Sequence, residues 1–358
     1  MQRGVEVKGH DMELYPKIHN AMWPGVIGKG VPGAEPVVPF ETLLDLTAAA
    51  EVDGIKFDGI DLFLCEAHTS IDSTPGDIER LVEKIAAKGL EVGSFVAPIW
   101  GGDGGGSAMG SRGERDRFLE QVRKACVIGV QMRELGIRPN GGIRIDSSTS
   151  VAEWDAHPEE GTQLIIQTFR EAGKIAADHG EHLVAEGEIC WGGMHSWREM
   201  VKVLEGVGMP DTVGFQADMA HTMLYTLGYN REQDRILPSG YDFFDRSLLD
   251  SAYKQVADAL RPWTFDLHVA QNDGTVFGSG SHDVTGRHCQ VDDPAGKLDV
   301  VKHAGFWLRE SSGEMNPRIR HICWDGCMFP NSVLEDPETW QKVLAQMIAV
   351  RAAHNWTE

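Results

Sequence analysis

Four apolar runs in the second half of the chain close on side chains that suit a hard divalent cation. HLVAEGE delivers Glu186 and Glu188, TVGFQADMAH delivers Asp218 and His221, TFDLHVA carries His268, and RHICWDG ends on Asp325. Carboxylates and imidazole without thiolate favour Mn²⁺, with Mg²⁺ or Co²⁺ also compatible, over a sulfur-rich zinc site. Residues two apart in a strand face the same way, so Glu186 and Glu188 point together. Two carboxylates so close repel, and one is driven towards its protonated form unless a cation lies between them. At least one is expected to be a ligand, and the other is then free to act as a base. Such a set would grip a carbonyl oxygen and remove the neighbouring proton, an isomerase-like chemistry.

Other positions complete the picture. Asp218 and His221 form D-x-x-H at a run's end, with Asp on the metal and His on a substrate hydroxyl. Asp266 and His268 share one strand face, and a polar pair there is costly to bury without purpose. Asp146 after GIRI, His19 and Trp23 near the first run, and Trp100 after the third are candidates for orienting a sugar. Between the seventh and eighth runs lies the segment 271–297, QNDGTVFGSGSHDVTGRHCQVDDPAGK. A loop this long is expected to be a lid over the site. It brings His282 and His288 as acid or base candidates and Arg287 as a binder of hydroxyl, carboxylate or phosphate.

The elements that would position these residues alternate to the end of the chain. Strand-like runs occur at Lys17 to Trp23, Gly59 to Leu64, LEVGSFVAPIW, GGIRIDSS and the four runs above. Helix patterns follow each: FETLLDLTAAAEV, PGDIERLVEKIAAKG, Glu114 to Leu135, Thr162 to His179, SWREMVKVLEGVG, Ser247 to Leu260, Leu298 to Arg309 and Pro337 to Ala353. Pro75 early and Gly89 late are the expected punctuation of a helix. Eight β-α units favour a closed (β/α)₈ barrel, a TIM barrel, over an open sheet, with one domain spanning residues 1–358. The strand ends of such a barrel converge on one mouth.

The formal charge is −21, with 33 Lys plus Arg against 54 Asp plus Glu. No basic stripe is available for nucleic acid, and anionic membranes are an equally poor partner. No apolar run approaches a membrane span, and MQRGVEVKGHDMELY lacks a signal core. The six cysteines have no C-x-x-C pair and read as buried or incidental thiols. GGDGGGSAMG lacks the G-K-[ST] ending of a nucleotide loop. These features point to a cytoplasmic protein acting on a small molecule.

In AEGE, D-x-x-H, the seventh-run histidine and the eighth-run acid, and in architecture over nearly the whole chain, the sequence resembles the xylose-isomerase-like barrel superfamily. Its members include sugar isomerases, ketose 3-epimerases, inosose-processing enzymes and lyases of 3-keto-glycosides, among them C-glycoside deglycosidase subunits. The resemblance implies an ion held by Glu186 or Glu188, Asp218, His268 and Asp325, with His221 on substrate. It implies a sugar isomerase or epimerase working through a metal-bound enediolate. The alternative is a lyase or hydratase that expels a β-substituent from a 3-keto-sugar or 3-keto-glycoside, with His282 or His288 as the acid. It also implies a homo-oligomer, and the lyases often bring a small second subunit. The sequence departs from the epimerases at Asp325, where they have a glutamate that doubles as a base. W-G-G after Cys190 is similar to a xylose-isomerase motif, but His195 stands where its glutamate would be.

Overall fold

The structure, a computed structural model, describes residues 13–358; the first twelve residues, which carry most of the N-terminal reading, lie outside it. Eight parallel strands close into a barrel in chain order: β1 (Lys17–Ala21), β2 (Gly59–Phe63), β3 (Glu91–Val96), β4 (Ile143–Ile145), β5 (Leu183–Glu186), β6 (Val213–Asp218), β7 (Thr264–Val269) and β8 (His321–Trp324). β8 pairs with both β7 and β1, which closes the ring. Between them run α1 (Phe40–Ala49), α2 (Pro75–Ala86), α3 (Arg112–Glu134), α4 (Pro158–His179), α5 (Trp197–Val207), α6 (Arg246–Leu260) and α7 (Val300–Leu308), and α8 (Pro337–Ala353) follows β8.

Local chemistry sets the helix limits. Thr74 and Asp77 cap α2 reciprocally, Ser111 and Glu114 do the same for α3, and Gly180 and Gly208 end α4 and α5 with left-handed backbone. Such caps satisfy terminal N–H and C=O groups that the helix itself leaves unpaired. The main core fills the space between strands and helices, with Phe95, Phe169, Phe215, Trp307 and Trp340 fully buried. Among the described residues no helix is long and apolar enough to cross a membrane. All six cysteines are free thiols, and Cys126, Cys289, Cys323 and Cys327 are buried.

Three elements depart from the sequence reading. The strand-like run TVGFQADMAH ends early, at Asp218: a short helix, Met219–Thr226, starts directly on that residue and carries His221. A separate turn of helix, Val151–Ala156, precedes α4. Segment 271–297 is not structureless, because Val276–Ser279 and His282–Gly286 pair as an antiparallel hairpin. Ser279 Oγ donates to the carbonyl of Gly28 in the loop after β1. The hairpin therefore bridges from β7 across to the first βα loop.

Candidate functional site

At the C-terminal ends of β5 to β8, ligand-type atoms of Glu186, Asp218, His268 and Asp325 all lie within 4.8 Å of one another. Strand register explains the meeting: Asp218 pairs with His268 across β6 and β7, and Glu186 with Gln216 across β5 and β6. The two aspartates are oriented by backbone N–H groups of the turns that follow them. Asp218 Oδ1 caps the short helix, accepting from the N–H groups of Ala220 and His221 at 2.7 and 3.1 Å. Asp325 Oδ1 accepts from Cys327 N at 2.6 Å and its Oδ2 from Trp23 Nε1 at 3.0 Å. Asp325 thus serves the turn before Gly326 while still facing the cluster.

The cluster gathers three carboxylates around one imidazole, with Arg144 reaching Glu186 and His288 reaching Asp218 from its edges. All four side chains are buried, and neither ring nitrogen of His268 has a hydrogen-bond partner. Its Nδ1 stands 3.7, 3.8 and 3.5 Å from oxygens of Glu186, Asp218 and Asp325. Burial, with the carboxylates of Glu188 and Asp218 adding to it, pushes Glu186 up to about 8 against the pull of Arg144. His268 is raised to about 10: burial opposes its charge, but Asp325, Asp266 and Glu186 outweigh it. Protons thus take up the charge that a cation would otherwise balance. An N,O₃ donor set with an orphaned imidazole at its centre fits a divalent ion.

Glu188 falls outside this set. Arg144 on β4 holds both glutamates, its Nε 2.6 Å from Glu186 Oε2 and its Nη2 2.5 Å from Glu188 Oε1. Although burial opposes ionisation, His282 and Arg144 keep Glu188 well below the usual carboxylate range. His282 Nε2 lies 3.7 Å from Glu188 Oε2 and reaches it from the hairpin. His221 Nε2 lies 3.7 Å from Glu186, and its Nδ1 meets Thr285 Oγ1 of the same hairpin at 3.2 Å. A cavity of about 710 Å³ opens above, lined by Glu186, Glu188, His221, His268, Asp325, Arg144 and His282, with Trp23 and Trp100 in its wall.

Four positions expected to touch substrate do not line this cavity. His19 lies deeper in the barrel, with Nδ1 2.9 Å from Asp61 and Nε2 3.2 Å from Glu91. It precedes Trp23 by four residues, too early on β1 to reach the mouth. Asp146 is fully buried and works on its neighbours, accepting from Trp100 Nε1 at 3.1 Å and pairing with Arg144 at 2.9 Å. Arg287 turns outward to Asp273 and is half-exposed. His288 turns inward but behind the cluster, its Nε2 3.4 Å from Asp218 Oδ2, so it is not an acid facing the cavity. Arg144 was not singled out from the sequence. The signal was present, since Arg144 and Asp146 share a strand face in GIRID, where a buried cation requires carboxylate partners.

Residues 46–303 match the family model described as xylose isomerase-like TIM barrel, and the chain belongs to that family. Solved structures share the fold at low identity. A D-tagatose 3-epimerase-like protein is 11% identical, with a TM-score of 0.58 over 94% of this chain and 98% of its own. The 3-keto-D-glucoside 4-epimerase from E. coli, in its apo form, is 13% identical, with a TM-score of 0.55 over 94% and 100%. The IolI protein, with zinc bound, is 11% identical, with a TM-score of 0.59 over 94% and 99%. No curated protein matches the sequence significantly.

Proposed function

We propose that this protein is a divalent-metal-dependent sugar isomerase or epimerase that removes a proton from the carbon beside a carbonyl. The observation that carries the reading is the convergence of Glu186, Asp218, His268 and Asp325 within 4.8 Å of one another at the foot of the cavity, with Glu188 lining the cavity beside them. Two relatives of the same fold are named for sugar epimerisation, which supports the class. Glu186, Asp218, His268 and Asp325 would hold the ion, Mn²⁺ by preference. When bound, the ion would act as a Lewis acid that polarises the carbonyl and acidifies the adjacent C–H.

The chain's own groups take the remaining tasks. Glu188 accepts the proton, and Arg144 fixes its position and keeps it ionised beforehand. His221, tied through Nδ1 to Thr285, presents Nε2 to a substrate hydroxyl. His282 returns a proton from the hairpin side. The cavity-facing position of His282 also favours a second reading, elimination from a 3-keto-sugar or 3-keto-glycoside, in which His282 protonates the departing oxygen or carbon.

The test is deuterium exchange in D₂O by the Mn²⁺-loaded protein over ketoses and 3-keto-glucosides, followed by mass and NMR. Exchange with an epimer or isomer of equal mass supports the first reading, and a split or dehydrated product supports the second. Glu188→Gln should lower exchange about 10²–10⁴-fold while the ion stays bound. Stoichiometric metal with no exchange on any member of the panel would overturn both readings.

A further inference from the structure

We infer that the tip of the hairpin, residues 277–284, is a gate that parts from the loop after β1 to admit ion and sugar and, on closing, carries His282 to Glu188. The inference goes beyond the proposed function and rests on it only for what passes the gate. Base and tip of the hairpin are held differently. At the base, Thr285 and His288 are buried and stand 3.2 Å from His221 and 3.4 Å from Asp218. Asn272 Nδ2 donates to the carbonyls of Thr275 and Arg287. Gly286 lies so close to the short helix that a Cβ there would meet the Ala220 carbonyl oxygen and His221 Nδ1 at 2.8 Å. Between His282 and Thr285 the pairing of the two strands shifts register.

Beyond that shift, no residue from 277 to 284 is buried. Among the described residues, the one hydrogen bond made by a tip side chain is that of Ser279 Oγ to the Gly28 carbonyl, at 3.3 Å. Two glycines with left-handed backbone, Gly28 (φ 70°) and Gly280 (φ 59°), let the chains touch there. A Cβ on Gly280 would stand 2.4 Å from the Gly28 carbonyl oxygen. The seam is thus close but weakly held, and segments with few buried contacts are the ones that open locally. Its other side is fixed, since the Lys29 ammonium is bound by Glu35 at 3.0 Å and by the Phe329 carbonyl at 2.9 Å. Ser281, His282 and Asp283 line the cavity from the tip, and Gly28, Lys29 and Gly30 from the facing loop. Parting the seam therefore widens the way to four ligands that are at most 5% exposed. His282 moves with the tip, so the proton it returns is in place only when the seam is shut and water is displaced.

Two variants move the seam in opposite directions. Gly280→Ala sets a methyl group against the Gly28 carbonyl and should hold the tip away. Gly28→Cys with Ser279→Cys should lock it, because a Cβ on Gly28 would stand 3.1 Å from that of Ser279, just under the roughly 3.5–4.5 Å that a disulfide spans. The readout is the rate at which bound Mn²⁺ passes to excess chelator, followed by stopped flow. Release should be about tenfold faster in Gly280→Ala, as for the loss of one hydrogen bond and its packing. In the double variant it should be at least about tenfold slower oxidised than reduced. Parent protein given the same oxidant controls for Cys65 and Cys327, which line the cavity. Affinity for Mn²⁺ should stay within about twofold throughout, because a gate changes entry and exit alike, whereas a structural defect at the site would lower it. Amide hydrogen exchange without metal reads the motion itself. Residues 277–284 should exchange ahead of Thr285 to Cys289, and Gly280→Ala should quicken the tip alone. Uniform protection along the hairpin, or release rates indifferent to both variants, would overturn the inference. Failure of the enzymatic reading looks different: no stoichiometric Mn²⁺ or no deuterium exchange into sugars, with the tip amides still exchanging first.

Discussion

The barrel holds two buried clusters built from the same residue types, and they have opposite electrostatic fates. The mouth cluster is Glu186, Asp218, His268 and Asp325. The deeper one is His19, Asp61 and His321, with Asp266, Gln216 and Glu91 around it. Asp61, Gln216 and Asp266 precede the mouth residues Phe63, Asp218 and His268 by two positions each, so they form the inward layer one step below. In the deeper layer the histidines and acids pair with one another, although Gln216 Oε1 is left without a hydrogen bond. His19 bridges Asp61 and Glu91, His321 Nε2 meets Asp61 Oδ2 at 3.1 Å, and Ser94 N donates to Asp61 Oδ1 at 3.1 Å. Gly93 gives the cluster room, since a Cβ there would collide with Asp61 and His19. At the mouth, by contrast, three carboxylates surround one imidazole that has no hydrogen bond. Paired histidines and acids make a fixed structural network, whereas an acid excess around an orphaned imidazole makes a cation site.

Exchanging one aspartate in each cluster for asparagine breaks the comparison most directly. Asp218→Asn should lower metal affinity at least about a thousandfold, roughly 4 kcal/mol, more than the 10–100-fold typical of residues behind a ligand. Asparagine still caps a helix, so the short helix from Met219 survives. The metal-free fold should lose less stability than in Asp61→Asn, because removing the Asp218 charge takes a partner from His288 but also relieves the repulsion of Glu186 and Asp325. Asp61→Asn should do the reverse. It strands His19 and His321 in the interior, which costs about 3–5 kcal/mol of stability, while metal affinity changes by only a few-fold. Isothermal titration with Mn²⁺ and urea unfolding of both variants check the crossing pattern. Equal stability losses in the two variants would show that the clusters do not differ in kind.

Metal should stabilise one cluster and leave the other indifferent. At a hundredfold excess over its dissociation constant, an ion that binds only the folded chain adds about 2.7 kcal/mol. Thermal unfolding should therefore rise with Mn²⁺ in the parent protein and in Asp61→Asn, but not in Asp218→Asn. A rise retained in Asp218→Asn would place the ion elsewhere.

Much of this contrast was written in the sequence, though unevenly. The eight units were legible because apolar runs alternate with helices punctuated at both ends, as between Pro75 and Gly89. The mouth residues stood out because the acids close their runs and His268 shares a strand face with Asp266 inside its own. Depth within the barrel was not legible: His19 resembles His268 locally, and only the stagger of closed strands puts it a layer lower. Arg144 escaped because Asp146, its partner two residues on, reads as a substrate contact in the sequence, and the two glutamates it holds come within reach only when β5 is placed beside β4. The long loop hid its hairpin, whose strands are short and rich in glycine. Arg287 and His288, adjacent in extended chain, had to face opposite ways. One turned to solvent and Asp273, the other to Asp218.

The smallest expected effect is the share of the pH dependence that the deeper cluster contributes. Burial opposes a charge on His19, yet the hydrogen bonds that its ring donates to Asp61 and Glu91 win and raise it from 6.5 to about 9. Asp61 is displaced the other way, held down by His321 and His19 against its own burial. For a raised histidine, the folded state binds the proton more tightly than the unfolded state. Its contribution is therefore complete below about pH 6.5 and disappears as pH climbs through about 9. For the depressed aspartate, the contribution is complete above its ordinary value near 3.8 and is lost as acid reaches the lowered one. Metal-free protein should thus lose stability between pH 6.5 and 9 by more than a His19→Gln variant does, when melting temperatures are compared in chelator. Parallel pH curves for the two proteins would mean that His19 is not charged in the fold, and that the deeper layer is a neutral hydrogen-bond network instead of a set of ion pairs.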